Sequence, residues 1–439
     1  MTENQHSNLL QSGEVRALRK ESRRLEKTVH CRHSAEQLWP YFSQVDMYNK
    51  TGGSSAVEYE VIPNLESSSV VRGTSKKLGL TMRYKELPYE WVQPHFVHAE
   101  MFFEKGPFLY TRIRGEHLRE EQGVCYSIDY VPRSRFGLGG LIARAILKKF
   151  VAVFEGIDER LPESFDDPLG AKGFEQRNKS TLKQANDLAE RWQHLAEDAV
   201  VPDNLADFIA TAPDTLVGRM RPYGLARQLG TTRSETLRFC CRAAKEGFLQ
   251  KSWDLICPGC GGAKSRSNEL SELGPEAHCE VCNIRYNTDI EKNVELSFRP
   301  EKKVRQLDEQ EYCLQSPSHQ LQILAQVNVE PGSEYRLPLS LQPGHYRLRC
   351  IGLTGEAHFD CAYGRQKQEI TIPVGSEISH GEVECGSSIE LIFKNDGPNW
   401  RTVRFEHHGY REDAATAAEV LKLPEFRGSF GDQVSLPQF

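Results

Sequence analysis

FGLGGLIARAILKKFVAVFEGIDERL, residues 136–161, decides the fold of the first third of this chain. Its apolar residues Leu138, Ile142, Ala145, Ile146, Phe150, Val153, Phe154 and Ile157 recur at three- and four-residue steps, which is one face of a long amphipathic helix. Upstream, the segments Val57 to Ile62, Val70 to Tyr84, Val97 to Glu104, Phe108 to Glu116 and Val124 to Val131 alternate apolar and polar residues. Alternation of that kind predicts antiparallel strands with one buried face. An extended segment, Arg23 to His30, and a short helix, Ala35 to Val45, come first. Residues 22–161 are therefore expected to form one α+β unit behind a tail, 1–21.

A strand, a small helix, a run of strands and one long last helix resembles the helix-grip fold of the START/polyketide-cyclase-like (SRPBCC) superfamily. The resemblance implies a sheet curled around the last helix and an apolar pocket for a hydrophobic small molecule. Trp39, Phe42, Trp91, Phe103, Tyr110, Phe150 and Phe154 are the candidate lining, although the same rings can equally fill a core. His95, His98, Glu100 and Glu104 are candidate acids and bases for an enzyme in that cavity. Period-2 alternation puts His98, Glu100 and Glu104 on one face, expected to be the solvated one.

The strongest local signal is CPGCGGAKSRSNELSELGPEAHCEVC, residues 257–282, which reads C-x2-C-x18-C-x2-C. Two residues between cysteines let both sulfurs reach one ion, and a spacer of about 15–20 residues can bring the second pair beside the first. Cys257, Cys260, Cys279 and Cys282 are thus expected to bind one structural zinc ion (Zn2+), with 257–290 as a zinc ribbon. Four thiolates close a tetrahedral site, which argues against hydrolytic or redox catalysis there. An iron–sulfur cluster is the minor alternative, and His278 is not needed as a ligand. Cys31, Cys125, Cys240, Cys241, Cys313, Cys350, Cys361 and Cys385 lack ligand spacing and read as small apolar residues.

Around this block, residues 162–202 read as a linker carrying a polar helix, Ser180 to Ala199. Residues 203–256 resemble a winged helix: a first helix Asn204 to Thr211, a second starting at Pro222 and ending at Gly230, and a third opened by the Thr232/Glu235 capping box. FLQKSWDLI then reads as strand or wing. Arg233, Arg238, Arg242 and Lys245 on the third helix could meet DNA phosphates. Glu235 and Glu246 dilute their charge, so a solvated scaffold face is the favoured reading. Residues 291–410 carry short strands between turn signals such as EPGSE and QPGHY, the pattern of a β-sandwich. His380, His407 and His408 there have no evident catalytic partner set. The fold class is multidomain α+β.

The formal net charge of −6 over 439 residues does not point to nucleic acid or an acidic membrane surface, a local basic patch aside. No run of about 18 apolar residues appears, so membrane insertion is not expected. The N-terminus lacks the apolar core of a secretory signal. A cytoplasmic location follows as the expectation, with the cysteines reduced and not paired as disulfides.

A helix-grip unit, a winged-helix-like unit, WDLICPGCGGAKS, AHCEVCNIRYNTDIEKNVELSFRP, a sandwich and LPEFRGSFGDQV follow one another. That order resembles the N-terminal regulatory region of bacterial class III adenylate/guanylate cyclases, whose zinc-ribbon region is an uncharacterised domain. The resemblance implies a regulatory or sensory module that acts on a cyclase domain in cis or in trans. In the family a catalytic domain continues from a segment like LPEFRGSF. Here residues 411–439 are expected to be only a helical linker, and Asp413 and Asp432 have no sheet to hold a metal pair. No catalytic residue is assigned, and the chain is expected to be a fragment of a longer cyclase or a stand-alone sensory part. The segment Asp413 to Leu423 would set the geometry of a homodimer. The alternatives are a zinc-dependent winged-helix DNA-binding regulator and an enzyme acting in the helix-grip cavity.

Overall fold

The computed structural model describes residues 12–62, 70–77, 80–118, 122–134, 137–196, 200–259, 261–279, 282, 284–320, 322–363, 368–378, 381–407 and 414–430. It is a mixed α/β protein with extensive β-sheet. Two compact units emerge: residues 1–159, 280–283 and 311–409, and residues 160–279, 284–310 and 410–439.

The first unit begins with helix α1 (Ser12–Glu21), strand β1 (Arg23–His30) and helices α2 (Ala35–Phe42) and α3 (Val45–Thr51). Ser34 and Gln37 close a capping box at the start of α2, satisfying its first free N–H groups. Seven strands follow: β2 (Val57–Ile62), β3 (Val70–Lys77), β4 (Leu80–Glu86), β5 (Glu90–Val92), β6 (Phe96–Lys105), β7 (Phe108–His117) and β8 (Gly123–Pro132). The stretch from Val70 to Tyr84, expected as one strand, is two: β3 and β4 pair antiparallel, Lys77 opposite Leu80. The long helix is α4 (Gly139–Arg160).

Strands β1, β8, β7 and β6 lie side by side, and the sheet forks at β6. The second half of β6 pairs with β4, and its first half with β5. Ala143 of α4 packs with Phe108, Ile128 and Tyr130, so α4 covers one face of β7 and β8. That arrangement, a sheet holding its last helix, is the one the periodicity of residues 136–161 implies.

The second unit carries helices α5 (Lys179–Trp192), α6 (Val200–Thr211), α7 (Asp214–Val217), α8 (Pro222–Leu229) and α9 (Arg233–Lys245), then β9 (Leu249–Ile256), β10 (Ala263–Ser267), β11 (Glu276–Cys279), β12 (Ile284–Asn287) and β13 (Val294–Pro300). Gly230 ends α8 in the left-handed conformation, and Thr232 with Glu235 caps α9. Strand β9 is central between β10 and β13, and β11–β12 is a separate hairpin. Trp192, Leu205, Ile209, Leu237, Trp253 and Leu296 share one core.

The chain then returns to the first unit with β14 (Ile323–Val329), β15 (Ser333–Ser340), β16 (Gly344–Cys350), β17 (Ala357–Ala362), β18 (Gln368–Pro373), β19 (Glu382–Gly386), β20 (Ser388–Asn395) and β21 (Arg401–His407). β14, β21, β16, β17 and β19 form one layer, and β15, β20 and β18 another. Val327, Phe359 and Phe405 of the first layer pack with Leu337, Ile372 and Phe393 of the second. Residues 22–161 and 291–410, expected as separate domains, share a sheet: β14 pairs with β5, Gln326 opposite Trp91 and Ala325 opposite Val92.

Two expectations are corrected. Cys361 and Cys385, read as isolated apolar residues, are disulfide-bonded. They are direct partners in the parallel pair β17–β19, with Cα atoms 4.8 Å apart, inside the range a disulfide spans. The linker expected as one helix from Asp413 to Leu423 is helical only over α10 (Ala417–Val420), and α11 (Pro424–Phe430) follows within the second unit. Pro424 disfavours a helical Leu423 and opens the new helix instead.

Candidate metal centre and ligand site

Cys257 directly follows β9, and the glycines after it turn the chain back. Gly259 N–H donates to Cys257 Sγ at 3.2 Å, and Cys257 N–H donates to Gly262 C=O at 3.0 Å. Gly261, at φ 70°, takes the left-handed conformation that the turn requires. Strands β11 and β12 bring the second pair: Cys279 pairs with Ile284, and Cys282 sits in the turn between them. The sulfurs of Cys257, Cys279 and Cys282 lie within 4.8 Å of one another, and all three residues are buried. Tetrahedral thiolates around zinc, with bonds of about 2.3 Å, place sulfurs about 3.8 Å apart. The three thiols therefore fit a metal ion. Cys260, the expected fourth ligand, lies outside the described residues. Arg404 Nη1 donates to Cys282 Sγ at 3.3 Å.

The sheet that holds α4 has two chemically distinct faces. On the α4 side, Phe42 lies 6.2 Å from Phe154, and Tyr126 lies 5.7 Å from Phe154 and 6.4 Å from Phe150. Tyr48 stacks on Phe150. Phe103 belongs to a neighbouring group with Tyr84 and Phe108. Trp39 touches this interior through Phe42. Gly115 keeps space in it, because a Cβ there would lie 2.6 Å from Phe42 Cζ. His117, two residues on, meets the Phe42 ring at 4.8 Å. Its Nε2 is buried and has no hydrogen-bond partner among the described residues. Burial, with His95 nearby, lowers the His117 pKa to about 4, so the ring is neutral.

Tyr110 and Trp91, expected with these rings, are elsewhere. Tyr110 packs with Val15 and Phe102 and donates to Glu100 at 2.7 Å. Trp91 donates Nε1–H to the carbonyl of Ile323 at 3.1 Å, at the β5–β14 seam.

Of the face of His98, Glu100 and Glu104, expected to be solvated, only the Glu104 end is exposed. Helix α1 packs on it through Val15, and Arg19 pairs with Glu100. His98 meets Glu116 at 2.8 Å, Arg112 meets Glu90 at 3.2 Å, and Arg114 meets Asp129 at 2.6 Å. Glu104 pairs with Arg72. Burial lowers the His98 pKa, partly opposed by Glu116. Sequence alternation placed these residues on one face, but gave no sign of the helix that packs on it.

A third feature carried no sequence signal. Residues 311–320 run beside α2, α3 and β4: Ser316 Oγ donates to the carbonyl of Ser43 at 2.8 Å, and Asn49 Nδ2 donates to that of Tyr312 at 3.0 Å. Gln315 Nε2 donates to Glu86 at 3.1 Å. Glu86 is 2% exposed, and burial raises its pKa to about 7, partly opposed by hydrogen bonds from Gln315 and Tyr89.

On α9, Arg242 donates to the carbonyl of Leu195 at 2.8 Å, and Arg233 lies over the Tyr223 ring. Two of the four cations considered for DNA are thus engaged within their own unit.

A family model described as "Family of unknown function (DUF5939)" matches residues 182–327. No curated protein matches the chain. Among solved structures, the Zhui aromatase/cyclase from Streptomyces sp. R1128 is 13% identical, over 31% of this chain and 94% of that one, with a TM-score of 0.23. Major latex-like protein 151 from Panax ginseng is 13% identical over 30% and 96%, with a TM-score of 0.22. An uncharacterized protein from Rhizobium leguminosarum is 14% identical over 31% and 95%, with a TM-score of 0.24. At scores this low the architecture rests on the strand order and helix placement described above. Among the described residues no helix is long and apolar enough to cross a membrane.

Proposed function

We propose that this chain is a regulatory, sensory module whose START-like helix-grip part binds a hydrophobic small molecule. The observation that carries the reading is His117 Nε2, a buried polar atom without a partner among the described residues, beside the Phe42 ring that in turn meets Tyr126 and Phe154. Buried polar groups are almost always paired, and ligand sites are mostly apolar with a few placed polar groups. An apolar molecule with one hydrogen-bonding group completes both. Binding would act by population shift, favouring one packing of α4 and the sheet over another.

The output is proposed from the order of segments, which resembles the regulatory region of adenylate/guanylate cyclases. In this reading the module controls a cyclase domain in cis or in trans, with the chain itself not catalytic. The cysteine ribbon holds one structural zinc ion through Cys257, Cys279, Cys282 and Cys260. The strand pair β9–β13 and helices α6, α8 and α9 form a winged-helix-like scaffold in it.

The test is native mass spectrometry of the purified full chain, followed by denaturation and lipid extraction. One zinc and a stoichiometric apolar molecule, reduced in occupancy in His117→Phe, is the expected result. A chain that carries no such molecule, and takes up none of an offered apolar library, would sink the sensor reading.

A further inference from the structure

At one end of the helix-grip sheet the β8–α4 junction meets the β6–β7 turn, with β4 beside that turn. Arg133 N–H donates to the carbonyl of Pro107 at 3.0 Å, and its side chain donates to the carbonyls of Gly106 and Phe103 at 3.0 and 2.6 Å. These bonds tie the β8–α4 junction to the β6–β7 turn. A Cβ on Gly106 would lie 3.4 Å from Met82 Cγ, so the start of β4 is alongside.

This end presents large apolar residues to solvent. Leu138 is 67% exposed, Leu141 63% and Leu80 45%. Ile142 and Ala143, beside Leu141, pack into the interior, so α4 is apolar on both sides of its first turns. Leu138 and Leu141, three residues apart at the start of α4, form an exposed apolar patch of the kind that marks an interaction site.

The charge around it is mostly basic, with Glu104, beside Lys105, held in a pair with Arg72. From Tyr130 to Phe154 the sequence contains no acidic residue. Arg133, Arg144 and Lys148 are exposed along that stretch, and Lys76, Arg83 and Lys105 are exposed on the adjoining strands. Arg83 and Lys105 are direct cross-strand partners. Like charges placed opposite each other are destabilising, so this pairing has no structural benefit of its own.

We infer that this end of the sheet docks on the surface of an anionic lipid bilayer. Leu80, Leu138 and Leu141 enter the boundary between headgroups and acyl chains, while the surrounding Lys and Arg side chains meet lipid phosphates. A protein partner would have to be both apolar at its centre and acidic at its rim; the bilayer offers that combination as an extended plane. The chain lies on the membrane and does not span it. The inference is independent of whether the interior binds a ligand.

The test is co-sedimentation of the full chain with phosphatidylcholine vesicles, with and without phosphatidylglycerol. Binding to the anionic vesicles is expected to be roughly tenfold or more tighter, and to weaken with added salt. L138S/L141S is expected to lose binding with an unchanged melting temperature, because both side chains are exposed. R144E/K148E is expected to abolish the preference for anionic lipid. Equal partitioning onto both vesicle types, or undiminished binding by L138S/L141S, overturns the inference. So does a wild-type dimer that L138S/L141S dissolves, since the patch would then belong to a second copy.

Discussion

Arg19 holds Glu100 through both carboxylate oxygens, Nε to Oε1 at 2.8 Å and Nη2 to Oε2 at 2.7 Å. The pair fastens α1 onto the outer face of the sheet, with Tyr110 as a third partner. Burial alone would raise the Glu100 pKa, but the Arg19 bonds outweigh it and the carboxyl lies below its usual value. Arg19→Ala leaves that carboxylate buried without its cation. A loss of about 3 kcal/mol at neutral pH is expected in chemical denaturation. A group with a depressed folded pKa contributes stability above its unfolded pKa and loses it as pH falls through the folded value. The gap between wild type and Arg19→Ala should therefore close as pH drops below about 4.5. A constant gap across that range would show that Arg19 acts through packing alone.

Glu86 makes the opposite prediction. Its folded pKa, about 7, lies above the ordinary value of 4.5. The folded chain therefore binds the extra proton, and that contribution is full below about 4.5 and lost as pH rises through about 7. Glu86→Gln keeps the shape and removes the charge. Its stability relative to wild type should rise between those limits, by at most about 3 kcal/mol at pH 8. Protease cleavage within residues 311–320 should likewise become faster in wild type at high pH and stay slow in the variant. A Glu86→Gln variant that is less stable than wild type at pH 8 would refute the assignment of a strained carboxylate beside Gln315.

These two sites mark how far the sequence could be read. Residues 136–161 showed their helix because the core-facing stripe is a local, periodic property. The Thr232/Glu235 cap and the Gly259 turn were equally local. What escaped depended on partners far apart in the chain. Gln326 lies opposite Trp91 only because β14 joins β5, and Gln315 meets Glu86 across more than two hundred residues. Cys361 and Cys385 became partners through a parallel register that no spacing rule encodes. Gly115 did carry a signal: a glycine inside a strand often marks a close approach, here by the Phe42 ring.

The metal centre predicts a chemical dependence. Thiolate ligands are largely absent as a set in the unfolded chain, so metal affinity becomes folding free energy. Cys279→Ser should reduce bound zinc from about one equivalent to a small fraction, measured by inductively coupled plasma mass spectrometry. The melting transition should drop or broaden, and a strong chelator should reproduce the change in wild type. Cys125→Ser, away from the ribbon, should do neither. Full zinc content in Cys279→Ser would remove that residue from the ligand set.

The interior of the helix-grip part offers the most direct discrimination between a pocket and a filled core. At Gly115 a new side chain would start 2.6 Å from Phe42 Cζ and 3.1 Å from Tyr126 Cε1. If the interior is already filled, Gly115→Val can only overpack it and should cost about 1–3 kcal/mol. If space for a ligand lies beyond the Phe42 ring, that ring can move into it. The variant should then melt near the wild-type temperature and lose uptake of an apolar fluorophore such as anilinonaphthalene sulfonate. His117→Phe, which keeps an aromatic ring but removes both ring nitrogens, the buried Nε2 among them, should keep the fluorophore but bind polar-headed apolar ligands more weakly, by roughly fivefold to tenfold for one hydrogen bond. Severe destabilisation by Gly115→Val together with unaltered binding in His117→Phe would establish a packed core and rule out the proposed site.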